Sequence, residues 1–245
     1  MRAAPWFIAP QQLWREGQIS LPPEESRHAV AVLRVTPPDV ITITNGEGVV
    51  ARCAVSKASE DRLEAEILEM SHHPPTRPAL AVYQAVAKGT KLDGLVQQLA
   101  ELGVTELVPF ESSRAVTRWD DAKSARVSDR WTAIARSAAK QSRNPWVLEV
   151  GRKVTFAGLV ERIGREPLVI ALWEEAQLPL RTALHSDAPR VAVIVGPEGG
   201  LTEQETDELA DAGALLVSLG PRILRTEHAA AATAAALSFH YGALG

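Results

Sequence analysis

The chain has 245 residues, 46% hydrophobic and 23% charged, an ordinary globular composition that allows one large domain or two small ones around a sizeable core. No run approaches the ~18 to 20 apolar residues of a membrane span, and Met1–Trp14 lacks a basic head followed by an apolar stretch, so a cytoplasmic location is expected. The single Cys53 excludes an intrachain disulfide and a multi-cysteine metal site; no metal is expected, and Cys53 reads as a small core residue rather than a nucleophile.

The net charge of −4 is unevenly spread: residues 76–154 hold 13 basic and 8 acidic side chains, and the stretches on either side are acidic. A local basic surface is what a phosphate backbone requires, although solvated helix faces account for it equally well.

In chain order, Pro22–Arg34 reads as a helix stopped by Pro37-Pro38. Residues 40–68 then alternate with period two (Ile41/Ile43, Val49/Ala51/Cys53/Val55, Leu63/Ala65/Ile67), which predicts a small antiparallel sheet. Asn45-Gly46-Glu47-Gly48 supplies its hairpin turn, and Ala58–Asp61 marks the next. The run from Ser71 to Pro78 carries three prolines in five residues and makes an extended connector, with His72 and His73 solvated on it. The expected division is a domain of residues 1–73 and a second of residues 74–245.

Beyond the connector, strand and helix patterns alternate: strand Leu80–Val86, helix at Leu92, Leu95, Val96, Leu99 and Leu102, strand Leu107–Phe110, helix Trp131–Ala139, then strands Leu168–Leu172, Val191–Val195 and Ala214–Leu219. The fold class is therefore α/β, with a mainly parallel sheet covered by helices on both faces.

Two glycine turns carry the chemistry. The wholly apolar strand Val191–Val195 runs into Gly196-Pro197-Glu198-Gly199-Gly200, and Thr202 with Glu205 forms a capping box that starts a helix. The strand Ala214–Leu219 runs into Gly220-Pro221-Arg222-Ile223-Leu224-Arg225-Thr226-Glu227 and a helix from His228 to Tyr241. The carboxyl ends of such strands form a ligand crevice, and glycines let a ligand approach bare backbone. Neither turn is a G-x-G-x-x-G or a G-x-x-x-x-G-K-[ST] pattern, so NAD and ATP are disfavoured.

Val195–Thr202 together with Leu219–Glu227 resembles the C-terminal signature of the family that makes 3-methyluridine in 16S ribosomal RNA, a branch of the knotted SPOUT methyltransferases. Further matches are Lys88 with Lys91, Gln97, Glu101-Leu102-Gly103-Val104, Pro109, Arg114, Arg130-Trp131, Ala138-Ala139, Gln141-Ser142, and, near the start, His28, Val32-Leu33-Arg34 and Asp39. Departures are Pro38 and Arg143 where glycine is usual, Asn144 where arginine is usual, Gln98 for a common lysine, Ser113 for an acid, and His228 for a small or hydroxyl residue.

The resemblance implies a small PUA-like β-barrel domain, then a SPOUT domain with a trefoil knot, S-adenosylmethionine as cofactor, 16S rRNA of the small ribosomal subunit as partner, and a homodimer. By correspondence the cofactor is expected against Leu172, Trp173 and Glu174; Val195, Gly196, Pro197, Glu198, Gly199 and Gly200; and Leu219, Gly220, Ile223, Leu224, Arg225, Thr226 and Ala229. Glu198 or Glu174 is a candidate anionic neighbour of the sulfonium. Arg225 is the preferred electrostatic helper for the uracil anion, with a loop-bracing role as its competitor. His228 is a possible base, more commonly structural. RNA contact is expected at Arg27, Arg34, Lys88, Lys91, Arg114, Arg118 and Arg143, with Trp119 or Trp146 as a platform for the unstacked base. Two rivals stay open: a related enzyme acting on ribose 2′-hydroxyls or guanine nitrogens, and a non-catalytic RNA-binding ribosome-assembly protein.

Overall fold

The computed structural model describes residues 4–88, 90–184 and 187–244. The chain divides into two compact units: Met1–Pro75 with Ala139–Val147, and Thr76–Ala138 with Leu148–Gly245. Among the described residues no helix is long and apolar enough to cross a membrane.

The first unit runs β1 (Trp6–Ile8), β2 (Trp14–Arg15), β3 (Gln18–Ser20), α1 (Pro23–Arg27) continuing as one π-helical turn over His28–Val32, β4 (Val40–Thr44), β5 (Val49–Ala58) and β6 (Leu63–His72). Among the described residues these strands form one sheet in the order β1-β4-β5-β6-β3-β2, antiparallel except for β1 beside β4. Strand alternation sends every second side chain inward, and Ile41, Ile43, Ala51, Cys53, Val55, Leu63 and Ala65 are indeed buried together with Phe7, Ile19 and Leu21. At the hairpin, the Asn45 side chain accepts from the N–H groups of Glu47 and Val49. Gly48 has φ +90°, and a Cβ there would lie 2.5 Å from the Trp146 ring, so glycine is required twice over.

The connector differs from expectation in detail. Ser71 and His72 still belong to β6, paired with Val50 and Val49, because the ladder satisfies their backbone groups. The second surprise is Ala139–Val147, which no composition change announces. It is held within the first unit by hydrogen bonds: Trp146 Nε1 donates to His73 O (3.1 Å), while Gly48 N and Thr44 Oγ1 donate to Pro145 O (3.1 Å each). Lys140 Nζ lies 2.7 Å from the buried Glu25. Arg143 closes its helix with φ +57°, and Asn144 N donates to Ala139 O at 2.9 Å. That left-handed cap costs a residue with a Cβ about 1 kcal/mol, a penalty that glycine would avoid.

The second unit contains β7 (Ala79–Ala85), α2 (Lys91–Glu101), β8 (Glu106–Phe110), α3 (Asp121–Ser142, whose last turn is counted in the first unit), β9 (Glu149–Val150), α4 (Phe156–Ile163), β10 (Val169–Leu172), β11 (Leu178–Pro179), α5 (Leu180–Ala183), β12 (Arg190–Val195), α6 (Glu203–Asp211), β13 (Leu215–Ser218) and α7 (Thr226–His240). Its sheet is parallel throughout among the described residues, ordered β11-β13-β10-β12-β7-β8-β9. The central strands are buried on both faces, which is why Val191–Val195 is apolar without alternation. α2 packs Leu92, Leu95, Val96 and Leu99 inward; α7 lies against it and buries Ala229, Ala230, Ala234 and Leu237. The helix expected over Trp131–Ala139 begins ten residues earlier, at Asp121, and ends three residues later, at Ser142; within it Trp131 packs edge-on against the buried Trp119 and donates to Asp93. Trp119 is thus a packing residue rather than an exposed platform.

In the first unit, buried Ser26 Oγ donates to Leu21 O (3.2 Å) and accepts from Leu63 N (3.0 Å). Ser26→Ala leaves both backbone groups unpaired and should cost about 1–3 kcal/mol, read as a lower midpoint in urea denaturation; an unchanged midpoint would remove this bridge from the account of the fold.

Candidate functional site

A cavity of about 780 Å³ opens at the carboxyl ends of three neighbouring strands, β13, β10 and β12, the position where open parallel sheets bind ligands. Its wall comes from three loops. The first gives Leu172, Trp173 and Glu174, the second Val195, Gly196, Pro197, Glu198, Gly200 and Leu201, and the third Val217 through Glu227 with Ala229 from α7. Lys91, the first residue of α2, completes it. Of the residues expected to hold the cofactor, all but Gly199 line this cavity. A Cβ on Gly199 would instead meet Arg114 at 3.4 Å, so that glycine faces the neighbouring loop.

The lining also includes Leu201, Pro221, Arg222 and Glu227, which belong to the two motifs but were not assigned to the cofactor, and Val217 and Ser218, which lie just before the second motif. The signal for Val217 and Ser218 was their place at the end of the strand that runs into that motif. His228 is exposed and outside the lining, which leaves Glu174, Glu198 and Glu227 as the titratable anions of the wall among the described residues.

Each loop is fixed by identifiable bonds. Thr226, at the first position of α7, donates its hydroxyl to Gly196 O (2.6 Å) and accepts from Gln84 Nε2 (2.8 Å). Both Thr226 and Gln84 are buried, so this pair joins β7, the β12 turn and the start of α7 inside the protein. Gly200 takes φ +72°, and a Cβ there would fall 2.8 Å from Glu174 Oε1, so the first two loops approach one another at a residue without a side chain.

The capping box is more than a helix start. Thr202 Oγ1 accepts from Glu205 N (3.1 Å), and Glu205 accepts in return from Thr202 N (2.9 Å), Ser113 N (2.8 Å) and Ser112 Oγ (3.2 Å). One buried carboxylate thus clamps the β8–α3 loop to α6. Burial pushes the Glu205 pKa up, but these hydrogen bonds outweigh it and hold the group below the ordinary carboxylate value. Arg114, from that same loop, donates to Gly199 O and Leu201 O (3.3 Å each). An arginine expected to meet RNA therefore braces the glycine turn.

The other basic residues expected at RNA are exposed: Arg27, Arg34 and Arg143 in the first unit, and Lys88, Lys91 and Arg118 in the second. Lys91 Nζ lies 3.1 Å from Glu198 Oε1. Arg225 precedes α7 in the cavity wall; its carbonyl accepts from Ala229 N (2.8 Å), while its guanidinium makes no hydrogen bond or ion pair among the described residues.

An α/β unit with a backbone-walled crevice at its parallel strand ends, in a chain that also has a unit built on a mostly antiparallel sheet, matches the class of RNA methyltransferases that carry a PUA domain. Residues 74–238 fit the model of an RNA methyltransferase domain, and residues 21–68 fit an RNA methyltransferase PUA domain. The chain belongs to the ribosomal RNA small subunit methyltransferase E family. It is 35% identical to the Mycobacterium tuberculosis protein of that name over 85% of this chain and 81% of the relative, and 32% identical to the Bacillus subtilis one over 95% and 94%. A crystal structure of ribosomal RNA small subunit methyltransferase E from Neisseria gonorrhoeae, bound to S-adenosyl methionine, superposes with a TM-score of 0.84 at 30% identity, covering 96% of this chain and 97% of that one.

Because the folded pKa of Glu205 lies below its unfolded value, its contribution to stability is complete above the ordinary carboxylate range, about 4.3, and is lost as pH falls through the folded pKa. Glu205→Gln should cost about 1–3 kcal/mol at neutral pH, and its deficit against the wild type should shrink as urea titrations move to lower pH. Parallel stability curves for the two proteins would contradict the clamp.

Proposed function

We propose that this chain transfers a methyl group from S-adenosylmethionine to N3 of a uridine in 16S RNA of the small ribosomal subunit. The observation that carries the reading is the cavity walled by the Gly196–Gly200 and Gly220–Glu227 turns, with an uncommitted guanidinium, that of Arg225, at its edge. The wall suits the cofactor. Its volume lies within the range of small-molecule sites, its glycine turns offer backbone donors and acceptors to an adenine, and Ile223, 88% exposed, presents apolar surface for a ligand to cover. When bound, S-adenosylmethionine supplies an electrophilic methyl group on a positively charged sulfur.

The remaining work falls to the protein. In-line transfer requires the uridine N3 to be aligned with the methyl group and to lose its imide proton. Orientation by the rigid turns supplies the first, and a wall carboxylate or solvent takes the proton. Arg225 stabilises the negative charge that spreads to the uracil carbonyl oxygens as N3 is deprotonated. Substrate RNA is gripped by Arg27, Arg34, Arg143, Lys88 and Arg118, and the target base is unstacked to bring its N3 edge to the cavity.

Two further features belong to this reading. The segment from β13 into α7 forms a trefoil knot; in support, β13 pairs with β10 while α7 returns to β12 and β7. The protein acts as a homodimer in the cytoplasm; in support of the dimer, Phe239 near the end of α7 is 71% exposed, and Leu244 beyond it 45%. Phe239→Asp should then yield a monomer by light scattering, and an unchanged mass would place the interface elsewhere.

Arg225→Ala should leave S-adenosylhomocysteine affinity by calorimetry within about twofold while lowering turnover about 10²- to 10³-fold, measured as 3-methyluridine by mass spectrometry of nucleosides from small-subunit particles. Unchanged turnover would remove Arg225 from the mechanism, and a methylated ribose or guanine in place of 3-methyluridine would reassign the acceptor.

A further inference from the structure

Lys91 and Glu198 both line the cavity, and their side chains are 54% and 31% exposed. Glu174, Glu227, Arg222 and Arg225 also belong to the wall, yet Lys91–Glu198 is the one ion pair formed there among the described residues. A pair this exposed adds little to stability. Its consequence is electrostatic: Lys91 neutralises a carboxylate at the cavity. Lysine is also the side chain best suited to leave such a partner, being a strongly hydrated point charge on a flexible stem. Arg114, which grips the backbone carbonyls of the same turn, keeps that turn in place whether or not Lys91 stays.

We propose that Lys91 is a latch on Glu198: an RNA phosphate at the cavity mouth draws the ammonium away, leaves the Glu198 carboxylate unneutralised, and so raises the preference of the cavity for a positively charged sulfonium over the neutral thioether. This inference rests on the methyl-transfer reading of the cavity. It makes Lys91 a positioning residue that acts through Glu198, and it links the two ligands. RNA and the charged methyl donor reinforce one another, and the neutral product of transfer loses that reinforcement, which favours release of both. By linkage the coupling is reciprocal, so RNA is held more tightly beside a cationic ligand than beside a neutral one. One charge acting across a partly solvated wall corresponds to roughly a threefold change in affinity ratio.

The test compares two ligands that transfer no methyl group. Sinefungin carries an ammonium where the sulfonium stands, and S-adenosylhomocysteine is neutral there; dissociation constants for both are measured by calorimetry on the full chain, with and without small-subunit ribosomal RNA transcribed in vitro. For the wild type, RNA should raise the preference for sinefungin about threefold. In Lys91→Met that preference should already be raised without RNA and should not respond to it, and in Glu198→Gln it should be low and equally unresponsive. The double variant should behave as Glu198→Gln. A wild-type preference in Lys91→Met overturns the latch, as does equal weakening of both ligands, which would mean that Lys91 holds their shared carboxylate. Failure of both ligands to bind the wild-type chain overturns the methyl-transfer reading and the latch with it.

Discussion

The hydroxyl of Thr226 holds the cavity together. It donates to Gly196 O and accepts from Gln84 Nε2, so a single buried oxygen ties the end of β12, the middle of the sheet at β7 and the first turn of α7. In an all-parallel sheet covered on both faces there is no solvent to take over if that bond is lost, and a buried polar group without a partner is costly. The third wall loop runs from β13 into α7, and α7 is fixed in turn against α2, β12 and β7. The position of Arg225 at the edge of the cavity follows from this anchorage, because it immediately precedes Thr226.

Around that anchor, charge is used mainly for fastening. Glu205 spends its lone pairs on Thr202, Ser112 and Ser113, and Arg114 on two carbonyls of the glycine turn. At the opposite end of the parallel strands, Arg190 joins Glu106 and Glu166 in a second charged cluster. These partly buried groups are committed to neighbours and make the loops rigid. At the crevice, the Arg225 guanidinium has no partner among the described residues and Lys91 has only an exposed one. A rigid frame with a few free charges at its opening is the arrangement that preorganised transfer to an anionic substrate requires.

The arginines show how little residue type alone reveals. Arg114, Arg143 and Arg225 are all single basic residues near a turn, and sequence placed the first two at RNA. One braces a turn through carbonyls far away in the chain, one occupies a left-handed helix cap, and one stands free in the cavity wall. Likewise Trp119 and Trp146, similar as exposed-aromatic candidates, are respectively buried against Trp131 and bonded to His73 O. Gly199 belongs to the right turn yet faces away from the cavity.

What the sequence determined by itself was local: the period-two strands from Ile41 to Ile67, the apolar strand before Gly196, the capping box of Thr202 and Glu205, and the hairpin glycines, together with the pair of glycine turns that identify the family. These are legible because strand alternation, helix caps and positive φ act over a few residues and constrain residue type directly. Tertiary structure alone decided that β13 pairs with β10, that Ala139–Val147 joins the first unit, and that Lys91 meets Glu198 across more than a hundred residues of chain. Those outcomes depend on which distant surfaces bury one another and which polar groups are left without water, and no spacing along the chain encodes them.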